Sequence, residues 1–267
     1  MKLDYIIVGL GLAGLAFVEE LIKAKKTFLV FEDDSQTSSL VAGGVYNPVI
    51  LKRFTPVWNA KEQLNCALPF YSKLEQKLNI TIDEKFIIKK SFKSIADQNN
   101  WFSALDKPRL VDYLDPKLDN QNYNGVIADF SFGNVKEAGR IDTAKLITAY
   151  RSYLESQKLI RLERFNYKEL SIETNTLTYK DISATRIVFC EGFGIKRNPF
   201  FNYLPLNEAK GELLTIHAPK LNINFLLKST LFVLPLGDNL YKVGATFNWT
   251  DKTSEPSDVG KEELVEK

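Results

Sequence analysis

Three glycines near the start of the chain, Gly9, Gly11 and Gly14, fall in the run Gly9-Leu10-Gly11-Leu12-Ala13-Gly14. Glycines at this spacing do their chemistry with the backbone. Gly9 permits a tight turn, Gly11 lets the main chain approach a pyrophosphate because it has no Cβ, and Gly14 lets a helix pack close to a sheet. A helix that opens here turns the unpaired N–H groups of its first turn, around Leu12 and Ala13, toward phosphate oxygens. Glu32 stands at the end of the apolar segment that follows, with Asp33 beside it. A carboxylate at that point can accept hydrogen bonds from both hydroxyls of a ribose and would repel a 2′-phosphate, which disfavours NADP. The motif therefore asks for a dinucleotide and leaves NAD and FAD both open.

These residues need a strand, a helix and a second strand to position them. Residues 3–8 form a short continuous apolar run, as in a buried parallel strand. Residues 12–25 have helical spacing, with Leu15, Val18 and Ile22 on one side, and residues 27–31 read as a second buried strand. A loop rich in Ser, Gly and Asn occupies residues 33–47. Leu64, Leu68, Tyr71, Leu74 and Leu78 mark one face of a helix that begins near Pro56. A strand is expected at 82–92, and Asp142 can cap a helix whose apolar face is Leu146, Ile147, Tyr150 and Leu154. Further strands are expected at 159–167, 170–174, 177–179, 186–190, 212–217, 230–235 and 240–247, with Asp238-Asn239 turning a hairpin between the last two. Parallel units mixed with hairpins imply an α/β protein: a Rossmann-like cofactor domain with an inserted α+β domain built on a mainly antiparallel sheet. The expected boundaries are 1–48 with 138–205 for the first domain, and 49–137 with 206–267 for the second.

Bulk properties narrow the function classes. The chain has 267 residues, 45% of them hydrophobic and 25% charged, enough for one large domain or two modest ones. Its 35 basic and 33 acidic residues leave a formal charge of +2, with no dense basic block, so no nucleic-acid footprint is expected. Cys66 and Cys190 are far apart, with His217 the one histidine that could join them. Neither a disulfide framework nor a metal site is expected, and a reducing cytoplasm fits. The apolar run after Met1-Lys2 is too short to span a membrane. Asp4, the spaced glycines and the regular helix and strand that follow argue against a signal peptide.

The segment Thr37-Ser38-Ser39-Leu40-Val41-Ala42-Gly43-Gly44-Val45-Tyr46-Asn47-Pro48 resembles the stretch after the acidic residue in the D-amino-acid oxidase family of flavoproteins. Members of that family carry a Thr/Ser cluster, a small pair ending in Gly, and a hydrophobic–aromatic–polar–Pro run that passes the flavin. The resemblance implies FAD as cofactor and makes Ser38, Gly43, Gly44 and Val45 contacts to it. The strand and glycine turn Ile187-Val188-Phe189-Cys190-Glu191-Gly192-Phe193-Gly194 resembles the family's second nucleotide-side motif, adding Cys190 and Gly192. Tyr167 falls where a family strand offers its backbone to the adenine. The segment Ala209-Lys210-Gly211-Glu212-Leu213-Leu214 resembles the entry to the substrate domain, and Val243-Gly244-Ala245-Thr246 the strand beside the substrate pocket. Two departures stand out. The segment that closes the FAD domain in the family is absent, so the chain is expected to be incomplete. Phe232 stands where the family's type member has a substrate-binding Tyr.

The resemblance implies oxidation of a small amine or amino acid by hydride transfer to flavin N5, giving an imine that hydrolyses in water. The alternatives are a flavin-binding subunit without its own turnover, or an NAD-dependent dehydrogenase. Lys52 and Arg53, just after the flavin-facing loop, are the candidates for attracting a substrate carboxylate or stabilising reduced flavin, and Arg53 is preferred because a guanidinium can hold a carboxylate with two parallel hydrogen bonds. His217, at the end of an apolar strand, reads as structural.

Overall fold

The computed structural model describes residues 1–35 and 37–267 and divides into two compact units. One unit holds Met1–Ala42 and Thr143–Glu208, the other Gly43–Asp142 and Ala209–Lys267. The chain thus crosses between units after residues 42, 142 and 208, against the 48, 137 and 205 expected from the sequence.

In chain order, the first unit opens with β1 (Lys2–Val8), α1 (Leu12–Lys23), β2 (Phe28–Glu32) and the short α2 (Ser38–Val41). The second unit follows with β3 (Val45–Tyr46), β4 (Val49–Ile50), β5 (Thr55–Pro56), α3 (Ala60–Leu78), β6 (Asp83–Ser91), α4 (Ile95–Leu105) and β7 (Phe132–Ile141). The first resumes with α5 (Thr143–Ser156), β8 (Ile160–Leu162), β9 (Leu170–Ile172), β10 (Leu177–Tyr179) and β11 (Ile182–Phe189). The second then adds β12 (Leu213–His217), β13 (Leu226–Lys228), β14 (Phe232–Gly237), β15 (Leu240–Gly244) and α6 (Asp258–Glu266). The chain is a mixed α/β protein.

The sheet of the first unit runs β8-β2-β1-β11-β10-β9. The four strands from β8 to β11 are parallel, and β10 and β9 add to the β11 edge in antiparallel fashion. Every residue of β2 is buried, which explains its unbroken apolar run. Helix α1 buries Leu15, Val18 and Leu21, and α5 buries Leu146, Ile147, Tyr150 and Leu154. The Tyr150 hydroxyl donates to Glu19 at 2.5 Å, tying the two helices together. Leu3, Ile6, Val8, Leu29 and Phe31 join Phe165 and Tyr179 in one apolar cluster, in which those two rings stack with centroids 4.1 Å apart. Burying a side chain of this size stabilises the fold by about 1.5–3 kcal/mol.

The sheet of the second unit runs β12-β15-β14-β13-β6-β7-β3. The β13–β6 pair is parallel and its other neighbours are antiparallel. Alternation along β13 sends Leu226 into a cluster with Ile88, Trp101, Val135 and Leu234, and Leu227 into one with Phe225, Tyr123 and Val233. Among the described residues no helix is long and apolar enough to cross a membrane.

Several elements depart from the sequence reading. The helix expected near Pro56 starts at Ala60, because Thr55–Pro56 pairs with Val49–Ile50. The strand expected at 159–167 is confined to Ile160–Leu162. Tyr167 therefore lies on no strand: it opens a 3-10 turn, Tyr167–Glu169, where the Asn166 side chain accepts from the Lys168 N–H at 3.2 Å. Helix α4 had no clear apolar stripe to reveal it, yet Ser94 caps it by accepting the Asp97 N–H at 3.2 Å, and it carries the fully buried Trp101.

Candidate functional site

The carboxyl ends of β1, β2 and β11 open onto a cleft of about 180 Å³ in the first unit. Gly9, Gly11, Leu12, Ala13, Glu32, Asp33, Ser38, Tyr167, Cys190 and Gly192 all line it. Gly9 has φ +98°, and a Cβ there would run into the carbonyl oxygen of Cys190. The strand and the turn meet closely at this point, with the Cys190 N–H donating to the Val8 carbonyl at 2.7 Å. Gly14 lies behind the cleft, where a Cβ would strike the Gly9 carbonyl oxygen, so its part is to let α1 approach the turn. Gly11 is different: a Cβ there would meet only the Ser39 hydroxyl, at 3.3 Å. The space before Gly11 is thus held by a small polar side chain rather than by backbone.

Helix α1 begins after Gly11 with no side-chain cap and no acidic residue in its first turn. Its N-terminal N–H groups are those that an anion satisfies best. The Leu12 N–H points to Ser39 Oγ at 3.5 Å, a weak contact. Glu32 is buried at the end of β2. One of its oxygens accepts the Leu10 N–H and the other accepts the Asp34 N–H at 3.0 Å. Two backbone donors orient the carboxylate, and each oxygen keeps acceptor capacity. Asp33 accepts the Ser35 N–H at 3.0 Å and lies 3.9 Å from Arg164.

The far wall contains residues that carry no motif. Arg151 of α5 reaches Asp34 at 2.5 Å and Glu32 at 3.9 Å, and its side-chain pKa is raised chiefly by the hydrogen bond to Asp34. Its Nε is buried with no partner. Glu163 accepts from Lys180 at 2.9 Å through one oxygen, while the other is buried and unpaired. An orphan donor and an orphan acceptor in the wall of one cleft suit a ligand bearing hydroxyls, which can give and take a hydrogen bond. Burial, then the Glu191 carboxylate that accepts its proton, push the Tyr167 hydroxyl upward in pKa. Glu191 also accepts from the fully buried Asn198 at 2.6 Å, which fixes the turn after β11. Burial likewise pushes the Cys190 thiol up, away from thiolate chemistry.

The remaining candidates fall in the second unit. Val45 pairs with Arg140 of β7, and the Gly44 carbonyl accepts the Ile141 N–H at 3.0 Å. Lys52 and Arg53 are exposed in the turn between β4 and β5. His217 ends β12 and is exposed, opposite Leu240. Phe232 is half-buried on β14, in register with Lys228 on one side and Gly244 on the other. Sequence reasoning passed over Arg151, Glu163 and Asn198, because their only signal is a polar atom without a partner, or with a buried one, in three dimensions.

No protein-family model matches the chain. Solved structures do. Glycine oxidase from Geobacillus kaustophilus superposes with a TM-score of 0.74 at 17% identity, covering 99% of this chain and 76% of that one. Iminodiacetate oxidase from Chelativorans sp. BNC1 gives 0.74 at 12% identity, covering 98% and 77%. L-alpha-glycerophosphate oxidase from Mycoplasma pneumoniae, with FAD bound, gives 0.70 at 14% identity, covering 100% and 77%. The chain has the fold of these oxidases. At these identities the likeness shows architecture alone.

Proposed function

We propose that the protein is an FAD-dependent oxidoreductase that oxidises a small amine or amino acid. The first unit is then a Rossmann-like FAD-binding domain, and the second a substrate domain on a mainly antiparallel sheet inserted into it. The observation that carries this reading is the uncapped start of α1 at Gly11, facing the same cleft as the buried, doubly oriented Glu32 carboxylate. That pairing suits a pyrophosphate next to a ribose. The fold it occurs in is one that L-alpha-glycerophosphate oxidase uses with FAD bound.

Each residue then has a task. Gly9, Gly11, Leu12, Ala13 and Gly14 build and present the backbone donors to the pyrophosphate. Glu32 accepts from the ribose hydroxyls, with Asp33 beside it. The orphaned Arg151 Nε and Glu163 oxygen are available to the same ribose or its base. Tyr167, Cys190, Gly192 and Ser38 close the sides of the cleft, and Gly43, Gly44 and Val45 are the small residues that the family resemblance assigns to the same cofactor. When bound, FAD supplies the acceptor for the substrate's hydride. The protein's part is to bind, orient and exclude water. Lys52 and Arg53, exposed in their turn, draw anionic substrates toward the protein.

The test is a spectrum followed by a reduction. The purified protein should show flavin absorbance, and one or more members of a panel of amines and amino acids should bleach it under anaerobic conditions. A colourless protein that binds a nicotinamide dinucleotide would defeat the proposal, and a yellow protein that no amine bleaches would leave a flavin-binding module without turnover.

A further inference from the structure

Strand β6 carries two adjacent lysines, and the pleat sends them to opposite faces of the sheet. The protein itself satisfies Lys89. Its ammonium pairs with Asp119, donates to Asn134 at 3.1 Å, and lies 5.4 and 5.1 Å from the ring centroids of Tyr123 and Phe225. Lys90 is half-buried on the other face without such partners. It donates to the Ser91 carbonyl at 2.8 Å, and among the described residues no carboxylate lies within ion-pair distance. Asp97 of α4 acts on it only through space, with one carboxylate oxygen already taken by the Lys93 N–H at 2.9 Å.

Lys90 stands in register with Lys228 of β13, and Lys228 with Phe232 of β14. Cross-strand partners share a face. The row therefore lies on the side where Ile88, Leu226 and Leu234 are buried. Lys228 is half-buried too, its contact a long one of 3.5 Å to the Thr230 carbonyl. Burial lowers the pKa of both ammonium groups; for Lys90 the charges of Lys93 and Lys228 push the same way against the pull of Asp97. Holding two such cations side by side against an apolar core is unfavourable for folding. The chain at Gly43 runs over this same face, since a Cβ built there would lie 3.7 Å from Leu234 Cδ2 and 3.8 Å from Phe232 Cζ.

We propose that Lys90 and Lys228 together form the seat for the substrate's carboxylate, one ammonium to each oxygen. This rests on the reading of the protein as an amine or amino-acid oxidoreductase, and it names the residues that select an acidic substrate. A lysine with a purely structural part is built as Lys89 is built, with its counter-charge supplied from within the chain. Lys90 and Lys228 are held in place with that counter-charge still to come. The exposed Lys52 and Arg53 then attract the anion without seating it.

The experiment titrates the purified protein with propionate, and with propionamide as the neutral control, following binding by ligand-detected NMR. Flavin absorbance and thermal midpoint are recorded on the same samples. The wild type should bind propionate, and Lys90→Met and Lys228→Met should each weaken it by about tenfold or more. Propionamide binding should not respond. The midpoint should hold or rise in both variants, because an uncompensated cation has been removed. Lys261→Met, at an exposed position on α6 away from the row, should leave propionate affinity unchanged. The seat is overturned if the wild type does not bind propionate, if both variants bind it as the wild type does, or if propionamide weakens in parallel. The two readings fail separately. Absence of flavin with lysine-dependent propionate binding removes the oxidoreductase and keeps the anion seat. Flavin with lysine-independent binding removes the seat and keeps the oxidoreductase.

Discussion

At Gly9–Gly14 the first unit offers a ligand its main chain: an uncapped helix start, a turn with positive φ, and a carboxylate oriented by two backbone N–H groups. On the row Lys90–Lys228–Phe232 the second unit offers side chains brought together by register across three strands. The two designs fail differently. A backbone site tolerates almost any side chain that points away and is destroyed by a single Cβ that points in. A side-chain site survives backbone-neutral substitutions and loses its function with one charge, often while gaining stability.

The largest effects should come from the glycines. Gly14→Val puts its side chain into the Gly9 carbonyl, and neither backbone can yield without parting α1 from the sheet. It should cost more than the roughly 1–3 kcal/mol of ordinary overpacking, because backbone meets the new side chain, and should lower both the thermal midpoint and the yield of folded protein. Gly11→Val meets only the Ser39 hydroxyl, so it should fold with an unchanged circular dichroism spectrum and a thermal midpoint near that of the wild type. Its flavin content should nevertheless fall close to zero, because the branched side chain occupies the pyrophosphate position. Normal flavin stoichiometry in folded Gly11→Val would remove the cofactor assignment.

The same contrast explains what was legible in the sequence. The glycine turn, α1 and β2 depend on residues within one short stretch, so spacing and residue type were enough to read them. The lysine row depends on Lys90 meeting Lys228, and nothing local announces a parallel β6–β13 pair. Lys52 and Arg53 stand out in the sequence as two cations just after the flavin-facing loop, but their turn leaves both exposed. The family resemblance places Tyr167 on a strand; the side chain of Asn166 diverts the backbone into a 3-10 turn instead. Trp101 does not stand out as a core residue because the four polar residues Asp97 to Asn100 interrupt any apolar stripe in its helix. Arg151 and Glu163 could not be found at all, since an orphaned atom exists only once the surrounding atoms are placed.

A second prediction compares the two faces of one strand. Lys89→Met leaves the half-buried Asp119 with only the Tyr123 hydroxyl and the Gln121 N–H as donors, at 2.8 Å each. Urea denaturation should show a loss of about 1.5–3 kcal/mol. Lys90→Met, one residue on, should show no loss or a small gain. Equal losses would mean that Lys90 has a structural partner after all, and that the two faces are built alike.

A third and smaller effect concerns Arg53. An exposed cation contributes about 0–1 kcal/mol to holding an ion. Arg53→Ala should therefore raise the apparent Michaelis constant for an amino acid by no more than about fivefold, with the effect fading as salt is added. A larger, salt-insensitive rise would make Arg53 the seat and move Lys90 and Lys228 to the periphery.

The smallest effect is at the acid end, where each unit has a carboxylate drawn down to about 2. In the first unit Arg161 grips Asp181 with two hydrogen bonds of 2.7 and 2.8 Å, and the backbone adds to the shift. In the second, Lys210 donates to Asp251 at 2.6 Å, with the Thr253 N–H and hydroxyl adding to the shift. Both folded-state values lie below the ordinary 3.8, so each carboxylate contributes stability that is fully present above that value. The contribution is lost as pH falls from about 4 through about 2. Asp181 is exposed and Asp251 largely open to solvent, so the slope in that window should be shallow and should flatten further in high salt. Asp181→Asn and Asp251→Asn each remove one of the two contributions. Hydrogen exchange followed from pH 4 to pH 2 can assign each loss to a unit: Asp181→Asn should flatten the slope for amides of β1, β2 and β11, and Asp251→Asn for amides of β12 and β15. If either substitution flattens both sets together, the two units open as one cooperative body, and their sites cannot be perturbed independently.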